Sequence, residues 1–325
     1  MTSTIPNIDN QFMIEAQQLS KQFDDFTAVY NISLNVRAGE LLALLGPNGA
    51  GKTTTVRMLG AILRPSSGQA RINSYDVVTQ ADQVRRSIGM LTEQPGLYGR
   101  MTGLEYLLFY GRLYNIPDHD IKQRSRAAFA RFGMAGDEER RLGEYSKGMR
   151  QKVGLIRAML HQPAVLLLDE PTSAMDPHSA KLVRDAIREV RADKNAVILC
   201  THNLVEAEAL ADRIAIIKQG RIVAEGPPLS LKAQLLGSPQ LELQLDRSPN
   251  GELTELEDLI TIDWINGNRI RYRTPDPIQT NPHLVRRLTG LGLGIISLHE
   301  VNQSLEEVYL RVVEADKLQD TYSDI

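Results

Sequence analysis

Cysteine occurs once in the 325 residues, at Cys200, and tryptophan once, at Trp264. A single cysteine excludes an internal disulfide and fits a reducing, cytosolic compartment. Long apolar runs are missing too. The longest, such as residues 41–45 and 164–168, fall far short of the ~20 residues that a membrane-spanning helix needs. No transmembrane helix is therefore expected. The opening MTSTIPNIDNQF has neither a basic start nor an apolar core, so no secretory signal is expected either. Neither sign of charge dominates: 37 Lys and Arg stand against 40 Asp and Glu, a net charge of −3. The split is uneven, because residues 236–325 hold 8 basic and 15 acidic residues and carry −7. An acidic C-terminal quarter is a poor surface for phosphate backbones, so nucleic acid is not an expected partner. What remains is a globular composition, 42% hydrophobic and 24% charged, with the length of roughly two domains.

Residues 12–46 alternate strand-like runs with turns. Residues 32–36 predict a strand, 37–40 a turn and 41–45 a buried strand. A helix is predicted over 52–63, ended by Arg64-Pro-Ser-Ser-Gly68. Residues 102–160 read as mostly helical. An apolar strand covers 164–168. Leu182, Val183, Ala186, Ile187 and Val190 then form one stripe at helical spacing. Strands follow at 196–200 and 214–217. This alternation predicts an α/β fold around a largely parallel sheet. Breaks at Glu225-Gly-Pro-Pro228 and Leu236-Gly-Ser-Pro239 place the domains at 1–235 and 236–325. In the second, alternation at Leu241, Leu243 and Leu245, and at Ile270, Tyr272 and Thr274, predicts strands. A helix is expected over 281–288 and a strand over 294–301. Ser304-Leu-Glu-Glu307 is a capping box that opens a helix through Val313. This segment reads as a small α+β domain, and no internal repeat is present.

Chemistry concentrates in three places. Gly46, Pro47, Asn48, Gly49, Ala50, Gly51, Lys52, Thr53 and Thr54 follow a buried strand and open a helix. They fit the phosphate-loop pattern G-x-x-x-x-G-K-[ST]. Glycines let backbone N–H groups close around phosphates, and the helix N-terminus adds partial positive charge. Lys52 is expected at the β- and γ-phosphates and Thr53 on Mg²⁺. Next, Val165-Leu-Leu-Leu-Asp-Glu170 is an apolar strand ending in two carboxylates. Asp169 suits Mg²⁺ held through water, and Glu170 suits polarisation of an attacking water. Third, Tyr145-Ser-Lys-Gly-Met-Arg-Gln-Lys152 stands just before that strand.

The third segment resembles the L-S-G-G-Q signature of ATP-binding cassette (ABC) ATPases. Ser146 and Gly148 are kept, whereas Tyr145, Lys147 and Met149 depart from the pattern. The resemblance covers residues 12–227 and implies a P-loop NTPase of the ABC type, with a helical subdomain over about 95–160. It implies that Ser146, Lys147, Gly148 and Met149 bind the nucleotide held by another subunit. Ser173-Ala-Met-Asp176 resembles the loop that follows the acidic strand, with Asp176 at the dimer contact. His202, after the strand 197–200, matches the family's switch histidine, which contacts the γ-phosphate and links it to Glu170. Phe23 matches the aromatic residue that stacks on adenine. The family places a metal-contacting, coupling glutamine after the strand at 88–91. By spacing that position is Glu93, and Gln94 follows it, so a shifted loop or a carboxylate in the role both stand.

The resemblance implies ATP and Mg²⁺ as ligands and ATP hydrolysis as the activity. It implies a head-to-tail homodimer peripheral on the cytoplasmic face of the cell membrane, coupled to permease subunits on a separate chain. The segment 95–102 resembles the rest for the permease's coupling helix. The whole pattern, with Ser304-Leu-Glu-Glu-Val-Tyr-Leu310, resembles ATPases of drug-resistance, sodium-extrusion and polysaccharide-export systems. The alternative is a soluble cassette ATPase of DNA repair or translation. Such proteins carry two cassettes, long coiled-coil insertions or zinc cysteines, none of which this chain has. A non-hydrolysing binding module is disfavoured by the retention of Lys52, Asp169, Glu170 and His202.

Overall fold

The computed structural model describes residues 12–310 except 174, 257, 302 and 303. The chain divides into two compact units, Met1–Pro227 and Pro228–Ile325.

The first unit opens with β1 (Phe12–Phe23), β2 (Phe26–Arg37), β3 (Leu41–Leu45) and α1 (Lys52–Leu59). Then come β4 (Ser67–Ile72), β5 (Tyr75–Asp76), α2 (Ala81–Ser87) and β6 (Ile88–Leu91). A helical segment follows, with α3 (Gly103–Leu113), α4 (Asp118–Arg131) and α5 (Lys147–Met159). The chain returns through β7 (Val165–Asp169), α6 (Pro177–Ala192), β8 (Ala196–Thr201), α7 (Leu204–Leu210), β9 (Arg213–Lys218) and β10 (Arg221–Gly226). Six strands form one sheet in the order β10-β9-β3-β8-β7-β6. Within it, β9-β3, β3-β8, β8-β7 and β7-β6 are parallel, and β10 pairs antiparallel at the edge. A four-stranded sheet, β2-β1-β4-β5, is antiparallel throughout.

The central strands are buried on both faces, which is why they read as unbroken apolar runs rather than alternating ones. One core packs α1 and the antiparallel sheet against Leu42, Leu44 and Leu167. The other packs the helical segment and α6 against Leu41, Leu166 and Leu168. Alternate residues of one strand thus serve opposite cores, and the strand tips are left for chemistry. Helix α1 is shorter than the 52–63 predicted. Gly60 caps it, and Ala61 turns to φ 52°, so the N–H groups of Ile62 and Leu63 fold back onto the Arg57 carbonyl.

The second unit holds α8 (Pro228–Leu236), β11 (Gln240–Leu245), β12 (Thr261–Asn266), β13 (Arg269–Arg273), α9 (Pro277–Gly290) and β14 (Ile295–Glu300). Its sheet, ordered β12-β13-β11-β14, is antiparallel throughout. Leu241, Leu243, Leu245, Ile270 and Tyr272 fill its core with Leu284 and Leu288 of α9. Pro277 opens α9 before the 281–288 predicted, because the Asp276 carboxylate accepts the Gln279 N–H and caps the helix there. The Glu307 N–H donates to Ser304 Oγ at 3.2 Å, and residues 305–310 are helical. The predicted continuation to Val313 lies outside the described residues.

Candidate active site

β3 leads directly into the phosphate loop. Gly46 is needed because a Cβ there would meet the Ile217 carbonyl oxygen at 2.3 Å. Gly51 has φ +103°, and a Cβ there would meet the Ala28 oxygen at 2.6 Å. Gly51 leaves α1 without a side-chain cap, and its first turn holds no acid. The N-terminal N–H groups of α1 are thereby left to an anion. Lys52 is buried, and its Nζ donates to the carbonyls of Gly46 at 2.6 Å and Pro47 at 3.1 Å.

The tips of β7 and β8 complete the arrangement. Thr53 Oγ1 donates to Asp169 Oδ2 at 2.7 Å, so the two predicted metal-holding groups are adjacent. Burial pushes the Asp169 carboxyl up, against the pull of the Thr53 hydroxyl, and Glu170 and Glu93 push it further. Glu170 takes φ 50°, in the left-handed region that costs an L-residue about 1–2 kcal/mol. Its N–H donates to the Cys200 carbonyl at 2.9 Å. Its Oε1 accepts the His202 backbone N–H at 3.0 Å and lies 2.8 Å from His202 Nδ1. The residue predicted as base and the residue predicted as switch therefore touch.

A cavity of about 370 Å³ gathers these groups. Its walls are residues 48–54 with Glu93, Asp169, Glu170, Ser173 and His202, closed on one side by Phe26 and Ala28. Larger cavities, of about 520 Å³ between α4, α5 and α6 and about 580 Å³ on α3, contain none of the predicted nucleotide- or metal-binding residues. Volume alone does not mark this site.

Glu93 lines the cavity and Gln94 does not; the Gln94 carbonyl accepts the Thr92 hydroxyl at 2.8 Å. Phe23 is 43% exposed, with Lys21 Nζ 4.9 Å from its ring centroid, and is not among the lining residues. Its cross-strand partner Phe26 is. Asp176 also lies outside the cavity. It caps α6 by accepting the Ser179 N–H at 3.0 Å, which holds its carboxyl at about 2. Ser146 caps α5 by accepting the Met149 N–H at 3.2 Å, and neither Ser146, Lys147, Gly148 nor Met149 lines the cavity. Tyr145, which departs from the signature, is buried in the helical core and donates its hydroxyl to the Asp137 carbonyl.

Sequence reasoning missed residues that tie α5 to the site. Gln151 Nε2 donates to the Glu170 carbonyl at 3.2 Å. Arg157 donates to the carbonyls of Met90 at 3.3 Å and Pro95 at 3.0 Å, on either side of Glu93. No spacing rule announces such side chain-to-carbonyl bonds.

The ABC transporter family model matches residues 29–173. The ABC transporter ATP-binding protein NatA of Bacillus subtilis is 39% identical over 224 residues, spanning 67% of this chain and 91% of that protein. The chain belongs to the ABC transporter ATP-binding proteins. This ABC subunit is also 36% identical over 302 residues to the daunorubicin/doxorubicin resistance ATP-binding protein DrrA of Streptomyces peucetius, 91% of each chain. A match of that length continues past Pro227 into the second unit. Among solved structures, an ATP-binding subunit of an ABC transporter superposes with a TM-score of 0.65 and 28% identity, covering 69% of this chain and 94% of that one. The fold is the ABC ATPase fold, and the subunit binds and hydrolyses ATP. Among the described residues no helix is long and apolar enough to cross a membrane.

Proposed function

We propose that this ABC subunit hydrolyses ATP to drive export through permease subunits carried on a separate chain. It works as a head-to-tail homodimer on the cytoplasmic face of the cell membrane. The observation that carries this reading is the Glu170–His202 pair, 2.8 Å apart, in the cavity that also holds Lys52, Thr53 and Asp169.

Each residue has a task in that chemistry. Residues 48–54 wrap the phosphates with backbone N–H groups, and Lys52 neutralises their charge. Among the described residues there is no cluster of three or more His, Cys, Asp or Glu that could hold a metal on its own. The Thr53 hydroxyl and the Asp169 carboxylate are nonetheless the hard oxygen donors that Mg²⁺ takes together with substrate phosphates. Thr53 and Asp169 would hold Mg²⁺ with Glu93 near them, and the ion supplies charge neutralisation on the phosphates. Glu170 accepts a hydrogen bond from the attacking water and orients it toward the γ-phosphate. His202 fixes the carboxylate of Glu170 from the other side. Phe23, at the tip of the β1–β2 hairpin, offers its exposed ring to adenine.

The signature supports the dimer. Ser146 and Gly148 stand at the start of α5, outside their own chain's phosphate cavity, so they serve a nucleotide held by a second copy. Relatives named for daunorubicin resistance support export. The test is reconstitution with the membrane protein encoded beside this chain, expected to carry about six apolar 20-mers. ATP should drive cargo across vesicles containing both chains, and Glu170→Gln should stop it. Transport that continues in that variant, or the absence of any membrane partner, overturns the reading.

A further inference from the structure

Glu206 is a buried carboxylate with no part in the chemistry above. It lies on the inner face of α7, only 2% exposed, beside buried Ala207 and Leu210. Removing a carboxylate from water is costly unless hydrogen bonds compensate. Two hydroxyls converge on it. Thr172 donates to Oε1 at 2.7 Å and Thr201 to Oε2 at 2.9 Å. Thr172 belongs to the turn after Glu170, and Thr201 immediately precedes His202. The network continues around the histidine: the Asn203 N–H donates to Thr201 Oγ1 at 3.0 Å, and the Glu206 N–H donates to Asn203 Oδ1 at 3.1 Å. The Glu206 side chain thus ties the segment behind Glu170 to Thr201 on one side of His202, and its backbone N–H holds Asn203 on the other. Burial raises the pKa of Glu206, and the two hydroxyls pull it the other way.

We propose that Glu206 is a positioning residue that holds the Glu170 turn and the His202 loop in register, so that the Glu170–His202 contact is formed before ATP arrives. This rests on the assignment of Glu170 and His202 as the hydrolytic pair. An acceptor-only group with two oxygens suits the task because it takes both hydroxyls at once. An apolar residue of similar volume would fill the space but leave the Thr172 and Thr201 hydroxyls without this acceptor, so stability is measured beside activity in the test.

The test compares Glu206→Met and Glu206→Gln in the full chain, with MgATP as substrate. Glu206→Met fills the volume but accepts neither hydroxyl. Its kcat should fall about tenfold or more, the scale of a small misplacement of reacting groups, while ATP affinity stays within about twofold. Glu206→Gln keeps an acceptor oxygen and should recover most of the rate. Thr172→Val, which removes one hydroxyl at nearly constant shape, should lower kcat about threefold with unchanged ATP affinity; it carries the test if Glu206→Met does not fold. Wild-type kcat in Glu206→Met and Thr172→Val overturns the proposal. So do equal losses in the Met and Gln variants, or a loss of ATP affinity matching the loss of rate. Glu170→Gln is the control. If it collapses while Glu206→Met is fully active, only this inference fails. If Glu170→Gln is fully active, the hydrolytic assignment fails and this inference with it.

Discussion

Every residue of β3, β7 and β8 is buried. β13 of the second unit instead alternates buried Ile270 and Tyr272 with Arg269, Arg271 and Arg273. Those arginines meet acids on neighbouring strands, Arg271 with Glu242 at 2.8 Å and Arg273 with Asp263 at 2.7 Å. The difference is one of layers. A parallel sheet covered on both faces has no free surface, so its functional groups must stand at the carboxyl ends of its strands. Gly46, Asp169 and His202 all follow from that rule. An antiparallel sheet with one polar face spreads its charged groups along the strands, and no single point gathers them. The predicted site residues accordingly all stand in the first unit.

The contrast breaks first at Lys52. Lys52→Ala removes the cation proposed to neutralise the β- and γ-phosphates, and ATP binding measured by calorimetry should disappear; near-normal affinity would contradict the phosphate-loop assignment. The next effect belongs to the second unit. Leu243 is fully buried in its core, so Leu243→Ala should cost about 2–5 kcal/mol in local stability. Hydrogen exchange should find that loss in residues 228–310, with ATP affinity unchanged. If ATP binding weakens in parallel, the two units do not divide the labour as described.

Smaller effects sharpen the picture inside the first unit. Glu93→Ala should lower ATPase activity about tenfold, the scale seen when a group beside a metal's own ligands is removed, whereas Gln94→Ala should be nearly silent. Glu93→Gln should keep or modestly raise activity. Steady-state assays that find the Gln94 variant damaged and the Glu93 variant intact would reverse the assignment. The smallest effect concerns His161, which stacks on Tyr114 with ring centroids 3.8 Å apart and bonds the Ile88 carbonyl at 3.0 Å. Its Nδ1 is buried with no partner among the described residues, and burial lowers its pKa below the ordinary 6.5. The unfolded chain then binds the proton more readily, so stability is full above pH 6.5 and falls as acid is added below it. The melting temperature should drop by less than about 4 °C from this source. His161→Gln should flatten that part of the profile, and an unchanged slope would assign it elsewhere.

The sequence revealed most where chemistry narrows the choice of residue. Only glycine fits at Gly46 and Gly51, and only a terminal pair such as Asp169–Glu170 suits a buried strand's tip, so these positions were legible. The unbroken runs of β3, β7 and β8 and the alternation of β11 and β13 were legible as well, because burial on one or both faces leaves different patterns. Phe26 was not, since an aromatic residue beside a turn carries no spacing signal; the hairpin pairing with Phe23 supplies the reason it faces the cavity. Gln151, Arg157 and Glu206 escaped because each has a partner 19 or more residues away along the chain, as far as 67 for Arg157 and Met90. Only the folded chain brings those groups together.

In the proposed division of roles Glu170 performs hydrolysis while the rest of the cavity binds ATP. Glu170→Gln keeps the shape of the side chain and removes its charge. ATPase rate and ATP affinity, measured on the same preparation, separate the two roles. The rate should fall roughly 10²-fold or more, the scale of positioned general-base catalysis, with affinity retained and an ATP-dependent dimer visible by gel filtration. A fully active Glu170→Gln subunit, or one that loses binding along with rate, would contradict the account.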